Sequence, residues 1–311
     1  MTNLKGTLLI TGANGALASA VVSEVTTSLE LSSYHGIYTV RDTTIPTPAL
    51  DAALAQAPSS IEFGSQTWTM DELDTSFTVN YLGHWLLTVM LLQSMDREAG
   101  RIIWISSWSH NPDDKRNLAK PGYTEEKYTT AIFDHIDAIA KGTWSANKDD
   151  TTAWISGWRR YGASKLCGVT MVHELQRRLD RDPVLNKNSV LGLDPTAMTS
   201  DMARRSDNWA LRVFLFKILI PFMAFILMHI LPNGPFRTLR KSARDVVAAA
   251  FHSTPDPLSE RPKCLYLNGS VKGNYNALAK DPNNWRIVWR ASVKYARLVQ
   301  GDTMLKGWDL E

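Results

Sequence analysis

With only two cysteines, Cys167 and Cys264, the chain has no disulfide framework and no Cys-based metal spacing. Its seven histidines are scattered, and His84 and His173 read as helix-face residues, so no metal site is expected. An excess of one charge is missing too. Thirty-four basic residues against 31 acidic ones leave +3, with no Lys/Arg run, which argues against a nucleic-acid partner. No Gly-x-Ser-x-Gly occurs, so a serine-hydrolase elbow is excluded, and there is no internal repeat or low-complexity tract. Met1–Gly6 is polar and leads directly into an apolar run, unlike a secretory leader, so a cytoplasmic setting is expected. What remains, at 44% hydrophobic and 21% charged residues, is the composition of an ordinary globular chain.

Short β-rich runs alternate with helical ones. Strands are expected at Gly6–Thr11, His35–Val40, Arg101–Ser106, Ser189–Leu193 and Cys264–Leu267. Helices are expected at Ala16–Leu29, Pro48–Ala57, Asp71–Met95 with Asp71 as N-cap, Tyr161–Arg178 and Ser242–Phe251. The alternation implies an α/β fold with a parallel sheet and helices on both faces, in one domain over 1–311.

Two constellations carry chemistry. Thr11-Gly12-Ala13-Asn14-Gly15-Ala16-Leu17-Ala18 lies between a strand and a helix, where free N–H groups and the positive dipole end can hold a phosphate. The second strand ends at Arg41, which suits a ribose 2′-phosphate and so NADP(H); the adjacent Asp42 keeps NAD(H) open. The other constellation is Tyr161-Gly-Ala-Ser-Lys165, whose i,i+4 spacing puts a phenol and an ammonium on one helix face. It follows a strand that ends in Ser106-Ser107.

On these residues, with Asn80 in Val-Asn-Tyr-Leu-Gly-His84 and the run Asp194-Pro195-Thr196-Ala197-Met198-Thr199, the chain resembles the short-chain dehydrogenase/reductase family. It is most similar to the retinol-dehydrogenase-like branch in a fungal form. The resemblance implies a Rossmann-like doubly wound parallel sheet. It implies Tyr161 as proton donor and acceptor, Ser107 (with Ser106 as runner-up) as the hydroxyl that polarises the carbonyl, and Asn80 as holder of a relay water. Lys165 would hold the ribose and lower the Tyr161 pKa, and Thr199 would bind the carboxamide. Gly12, Asn14, Gly15, Leu17, Arg41 and Pro195 complete the implied cofactor site.

The chain departs from the family pattern in several places. Ala16 and Ala18 replace turn glycines, and Thr196 stands where a glycine is usual after Pro195. Residues 42–70 are too few for the two strands and two helices a complete sheet needs there, and the Asn-Asn-Ala-Gly strand is absent. A central block is therefore expected to be missing near Pro58–Ile61, so that either Gly6–Thr11 pairs directly with Arg101–Ser106 or the chain is barely stable. Residues 108–160 form an insertion before the catalytic helix, read either as a flap over substrate or as a surface element packing its tryptophans on the domain. Within 200–240, the apolar run 209–231 is broken by Lys217, Pro221 and His229; it reads as a hydrophobic lid that can also touch a membrane interface.

The expected function is NADP(H)-dependent interconversion of a ketone or aldehyde and an alcohol on an apolar small molecule, with a homo-oligomer left open. The rival is a catalytically silent, truncated dehydrogenase-like scaffold.

Overall fold

The computed structural model describes residues 5–13, 15–28, 30–40, 66–117, 120–149, 153–198 and 231–309. They fall in two compact units, one of Met1–Ile61, Pro195–Pro255 and Asn268–Val271, the other of Glu62–Asp194, Asp256–Leu267 and Lys272–Glu311.

The first unit begins with β1 (Gly6–Ile10), a turn, α1 (Ala16–Thr27) and β2 (Tyr34–Tyr38). Strands β1 and β2 pair in parallel with Leu9 opposite Ile37. Later segments of this unit supply β5 (Ala197–Met198), β6 (Phe236–Arg237) and α5 (Leu239–Phe251), which is capped by Thr238 through the Lys241 amide. Val21 and Val25 of α1 pack with Ala243 and Val247 of α5, and Leu8 and Ile10 reach the same cluster from β1. Thr196 takes a left-handed φ of 64° and donates its hydroxyl to Pro235 O at 3.1 Å. A β-branched residue pays for that conformation, which is why the family pattern has glycine there.

The second unit is built around α4 (Ala153–Arg181). Twenty-one of its 29 residues are buried, so it is enclosed rather than amphipathic. Strand β3 (Arg101–Ile105) pairs in parallel with β4 (Ser189–Asp194), and the sheet continues through β7 (Leu265–Asn268) to β8 (Val271–Lys272). Helix α2 is a continuous run of Thr75–Phe77, a π-helical turn Thr78–Leu82, and Gly83–Leu91. A short α3 (Ile136–Ala140) and a C-terminal α6 (Pro282–Ala296) complete it. Phe77, Tyr81 and Trp85 of α2, Leu166 and Leu175 of α4, and Val288 and Trp289 of α6 share one core.

Several expectations shift. The N-cap of α2 is Asp74, which accepts from the Phe77 amide at 3.2 Å and pairs with buried Arg160 at 3.3 Å; Asp71 instead pairs with Arg297 on the surface. Helix α4 starts eight residues before Tyr161, at Ala153, because Trp158, Arg159 and Arg160 find buried partners. Helix α6, with its Asp281 cap and Pro282, is additional to the expected elements.

The insertion packs. Tyr128, Ile132, Phe133 and Trp144 belong to the core of the second unit. Arg159 lies over the Tyr128 ring at 3.8 Å and bonds Gly122 O, while Arg160 bonds Ser145 O. The Trp158 indole donates to Asn117 at 2.8 Å.

Among the described residues β1 pairs with β2 alone, and β3 with β4, each unit having closed over its own core. The missing block's junction, the 48–57 helix and the 209–230 run lie outside the described residues. Among the described residues no helix is long and apolar enough to cross a membrane.

Strand β4 is buried at all six positions, whereas Leu9 of β1 and Ile37 of β2 are exposed. A two-stranded sheet with one wet face is marginal alone, and each buried aliphatic side chain adds roughly 1.5–3 kcal/mol. Native-state hydrogen exchange should therefore show β1 and β2 amides exchanging at least about 100-fold faster than those of β3 and β4. Equal protection would mean that the strands are stabilised as one sheet.

Candidate active site

The first unit holds the phosphate-type turn. Gly12 has φ 62°, open only to glycine without strain, and no atom lies within 4 Å of where a Cβ would be. The Gly15 amide donates to Gly12 O at 2.8 Å, and Gly15 is the N-cap of α1. Ser19 fastens the turn by donating to Ala13 O and Gly15 O, both at 2.9 Å. No side chain caps α1 and no acid stands in its first turn, so its leading N–H groups, Leu17 included, suit an anion. The turn therefore fits a pyrophosphate, with Ala16 and Ala18 narrowing the approach. Pro195 accepts a hydrogen bond from Ser242. Asn14, Arg41 and Thr199 lie outside the described residues.

The second unit gathers the acid–base residues. Ser107 follows β3 in extended conformation and caps the turn Trp108–His110. Its hydroxyl accepts from Ser109 Oγ at 3.0 Å and shares a hydrogen bond with the Tyr161 phenol. Of the two serines, Ser106 meets Tyr266, and Ser107 meets Tyr161. This approach depends on Gly162, where a Cβ would stand 2.5 Å from Ser109 O. Lys165 lies one helical turn on, 5.6 Å from the Tyr161 ring, and donates to Ile105 O at 3.1 Å. Asn80 sits in the π-helical turn, with its amide donating to Ser76 O at 2.9 Å. His84 follows one turn later, and its pKa is lowered by burial and then by Lys165.

Burial, then the Asp194 carboxylate, push the Tyr161 phenol up to about 12 against the Ser107 hydrogen bond. The Lys165 ammonium is directed at Ile105 O. Burial lowers Lys165 itself to about 8, and Asp194 opposes that shift. Asp194 was visible in the sequence as the residue before Pro195, yet nothing marked it as a neighbour of Tyr161. Arg116 and His110 were equally unmarked. Arg116 pairs with Asp194 at 3.3 Å, and His110 Nδ1 lies 2.5 Å from Ser107 O. His110 Nε2 accepts from the Asn276 amide, so Nδ1 carries the proton and the ring is neutral.

With this geometry in place, the comparisons can be read. No family model matches the chain. The short-chain dehydrogenase iccH of Talaromyces variabilis is 36% identical over 99% of this chain and 100% of its own length. The human WW domain-containing oxidoreductase is 30% identical over 75% of this chain, which spans 45% of that protein. Mouse retinol dehydrogenase 13 is 30% identical over 45% of this chain and 33% of its own length. A crystal structure of a Mycobacterium paratuberculosis protein superposes with a TM-score of 0.53 at 18% identity, covering 95% of both chains. The chain belongs to the short-chain dehydrogenase/reductase family, a family of NAD(P)-binding oxidoreductases with a Rossmann-like α/β fold. The Talaromyces alignment runs over 369 positions, so at least 58 of them (369 less the 311 residues here) face no residue of this chain.

Buried His110 has a pKa lowered to about 4 from 6.5 by burial. The unfolded chain therefore binds the extra proton first. The contribution is fully present above pH 6.5 and is lost as pH falls toward 4, roughly 2 kcal/mol of it by pH 5. Urea unfolding at pH 7 and pH 5 should show that loss reduced in His110→Gln; an unchanged loss would show that His110 does not titrate on unfolding.

Proposed function

We propose that the chain carries the machinery of an NADP(H)-dependent oxidoreductase interconverting a ketone or aldehyde and an alcohol on an apolar small molecule. The hydrogen bond between Tyr161 and Ser107, with Lys165 on the next turn, carries this reading. When bound, the nicotinamide supplies or accepts hydride. Ser107 donates to the carbonyl oxygen, and Tyr161 delivers a proton to the same oxygen. A phenol held near 12 is protonated at neutral pH, the form that can give its proton to a carbonyl oxygen. Lys165 holds the ribose hydroxyls, Asn80 places a relay water, and Thr199 binds the carboxamide. The turn formed by Gly12, Asn14, Gly15 and Leu17, with Pro195, receives the rest of the dinucleotide. Arg41 supports NADP(H) over NAD(H), and the apolar 209–231 run supports an apolar substrate.

A second reading, a dehydrogenase-like chain without turnover, is favoured by the β1–β2 ladder having no third strand among the described residues. We infer that the unmatched positions of the Talaromyces alignment include a strand-bearing block belonging near Pro58–Ile61. Hydride transfer needs reacting atoms at about 3–3.5 Å, so a misplaced turn alone would stop it.

Both readings meet in one experiment. NADPH quenching of the 11 tryptophans and ketone reduction are measured on this chain, on a chain with the block restored, and on Tyr161→Phe of each. The restored chain should turn over, and Tyr161→Phe should lose about 10²–10⁴-fold in rate while keeping its NADPH response. Wild-type-like turnover in Tyr161→Phe would overturn the mechanism. Turnover by the 311-residue chain would remove the second reading.

A further inference from the structure

The segment between Ser107 and Tyr161 does more than pack. Asp113-Asp114-Lys115-Arg116 leads its first loop, and one member reaches the end of the sheet. Arg116 is held by Asp114 through two contacts, Nε to Oδ1 at 3.0 Å and Nη2 to Oδ2 at 2.8 Å. The same Nη2 lies 3.3 Å from Asp194 Oδ2, and the guanidinium lies 5.5 Å from the Trp108 ring. Asp194 is 1% exposed and ends β4, next to Leu193, whose carbonyl accepts from the Ser106 amide. A carboxylate so buried requires a partner. Resting on the reading of Tyr161 and Lys165 as the acid–base pair, we propose that Arg116 is a positioning residue for that pair, acting through Asp194 to set the charge beneath it.

The groups around this pair come from every packed element. Ser107, His110, Asp114 and Arg116 come from the loop after β3, and Asp194 from the end of β4. Tyr266 faces from β7, Tyr161 and Lys165 from α4, and His84 from α2. Asp194 acts on Tyr161, Lys165 and Tyr266 alike, favouring the protonated form of each. Arg116 opposes it by pairing, and its charge registers on Tyr266, Asp114 and His110. The strand ends bring Asp194 to the pair: the Ser106 amide bonds Leu193 O, beside Asp194, and Lys165 bonds Ile105 O, beside Ser106. The influence of Arg116 on the pair therefore runs through the carboxylate. The insertion supplies the counter-ion that lets a buried acid sit beside a proton donor.

The test needs no cofactor. The Lys165 titration is read from the pH dependence of its acylation by acetic anhydride, followed by mass spectrometry on the full chain between pH 6 and 10. Asp194→Asn should move the Lys165 midpoint down by about one pH unit, and Arg116→Gln should move it up by a similar amount. In the Asp194→Asn background, Arg116→Gln should have little further effect. Arg116→Lys, which keeps the charge, should stay near the parent and controls for loss of folding, monitored by near-UV circular dichroism. A Lys165 midpoint unmoved in folded Arg116→Gln, or moved equally with and without Asp194, would overturn the proposal. Failure of Tyr161→Phe to lose turnover would overturn the enzymatic reading and leave this charge coupling standing.

Discussion

The close approach of α4 to β3 and to the loop that follows it is the constraint on which the second unit depends. Two glycines allow it. A Cβ at Gly168 would enter the Trp104 indole, and one at Gly162 would meet the Ser109 carbonyl. With no side chain in either place, the helix lies against the strand. Tyr161 then reaches Ser107, and Lys165 reaches the last carbonyl of β3. The Tyr161 and Ser107 hydroxyls are thus placed by backbone packing, which holds geometry more firmly than flexible side chains do.

The same helix organises the polar groups around the site. Arg159 and Arg160 are buried because the 108–149 region supplies carbonyls, an aromatic face and, through α2, the Asp74 carboxylate. Glu174 is fully buried against Arg177 at 2.6 Å and Arg178 at 2.7 Å, and Arg178 also stacks on Trp289. Such pairs contribute little net stability over apolar packing, but losing one partner strands a charge in the interior. They fix how the insertion, α2 and α6 fit around α4, and so how His84 sits beside Lys165.

The first unit shows the complementary case. Its glycine turn and uncapped α1 terminus are well formed. The β1–β2 ladder above them has no third strand among the described residues, and its Leu9–Ile37 pair is open to solvent. A doubly wound sheet gains most from strands covered on both faces, as β4 is.

What the sequence determined by itself was local. The Gly12 turn, the alternation of strands and helices, and the Tyr161–Lys165 face follow from steric freedom at glycine and from helical and strand periodicity. Those act over a few residues and can be read without knowing the fold. The tertiary structure alone decided the rest. Asp74 rather than Asp71 caps α2 because Arg160, 86 positions later, is there to meet it. Ser107 rather than Ser106 faces Tyr161 because of where the strand ends against the helix. The Tyr161 phenol is raised because burial and Asp194 outweigh its hydrogen bond with Ser107. Arg116 meets Asp194 across 78 positions of sequence. Desolvation and long-range charge pairing depend on which segments are brought together, and no local pattern encodes that.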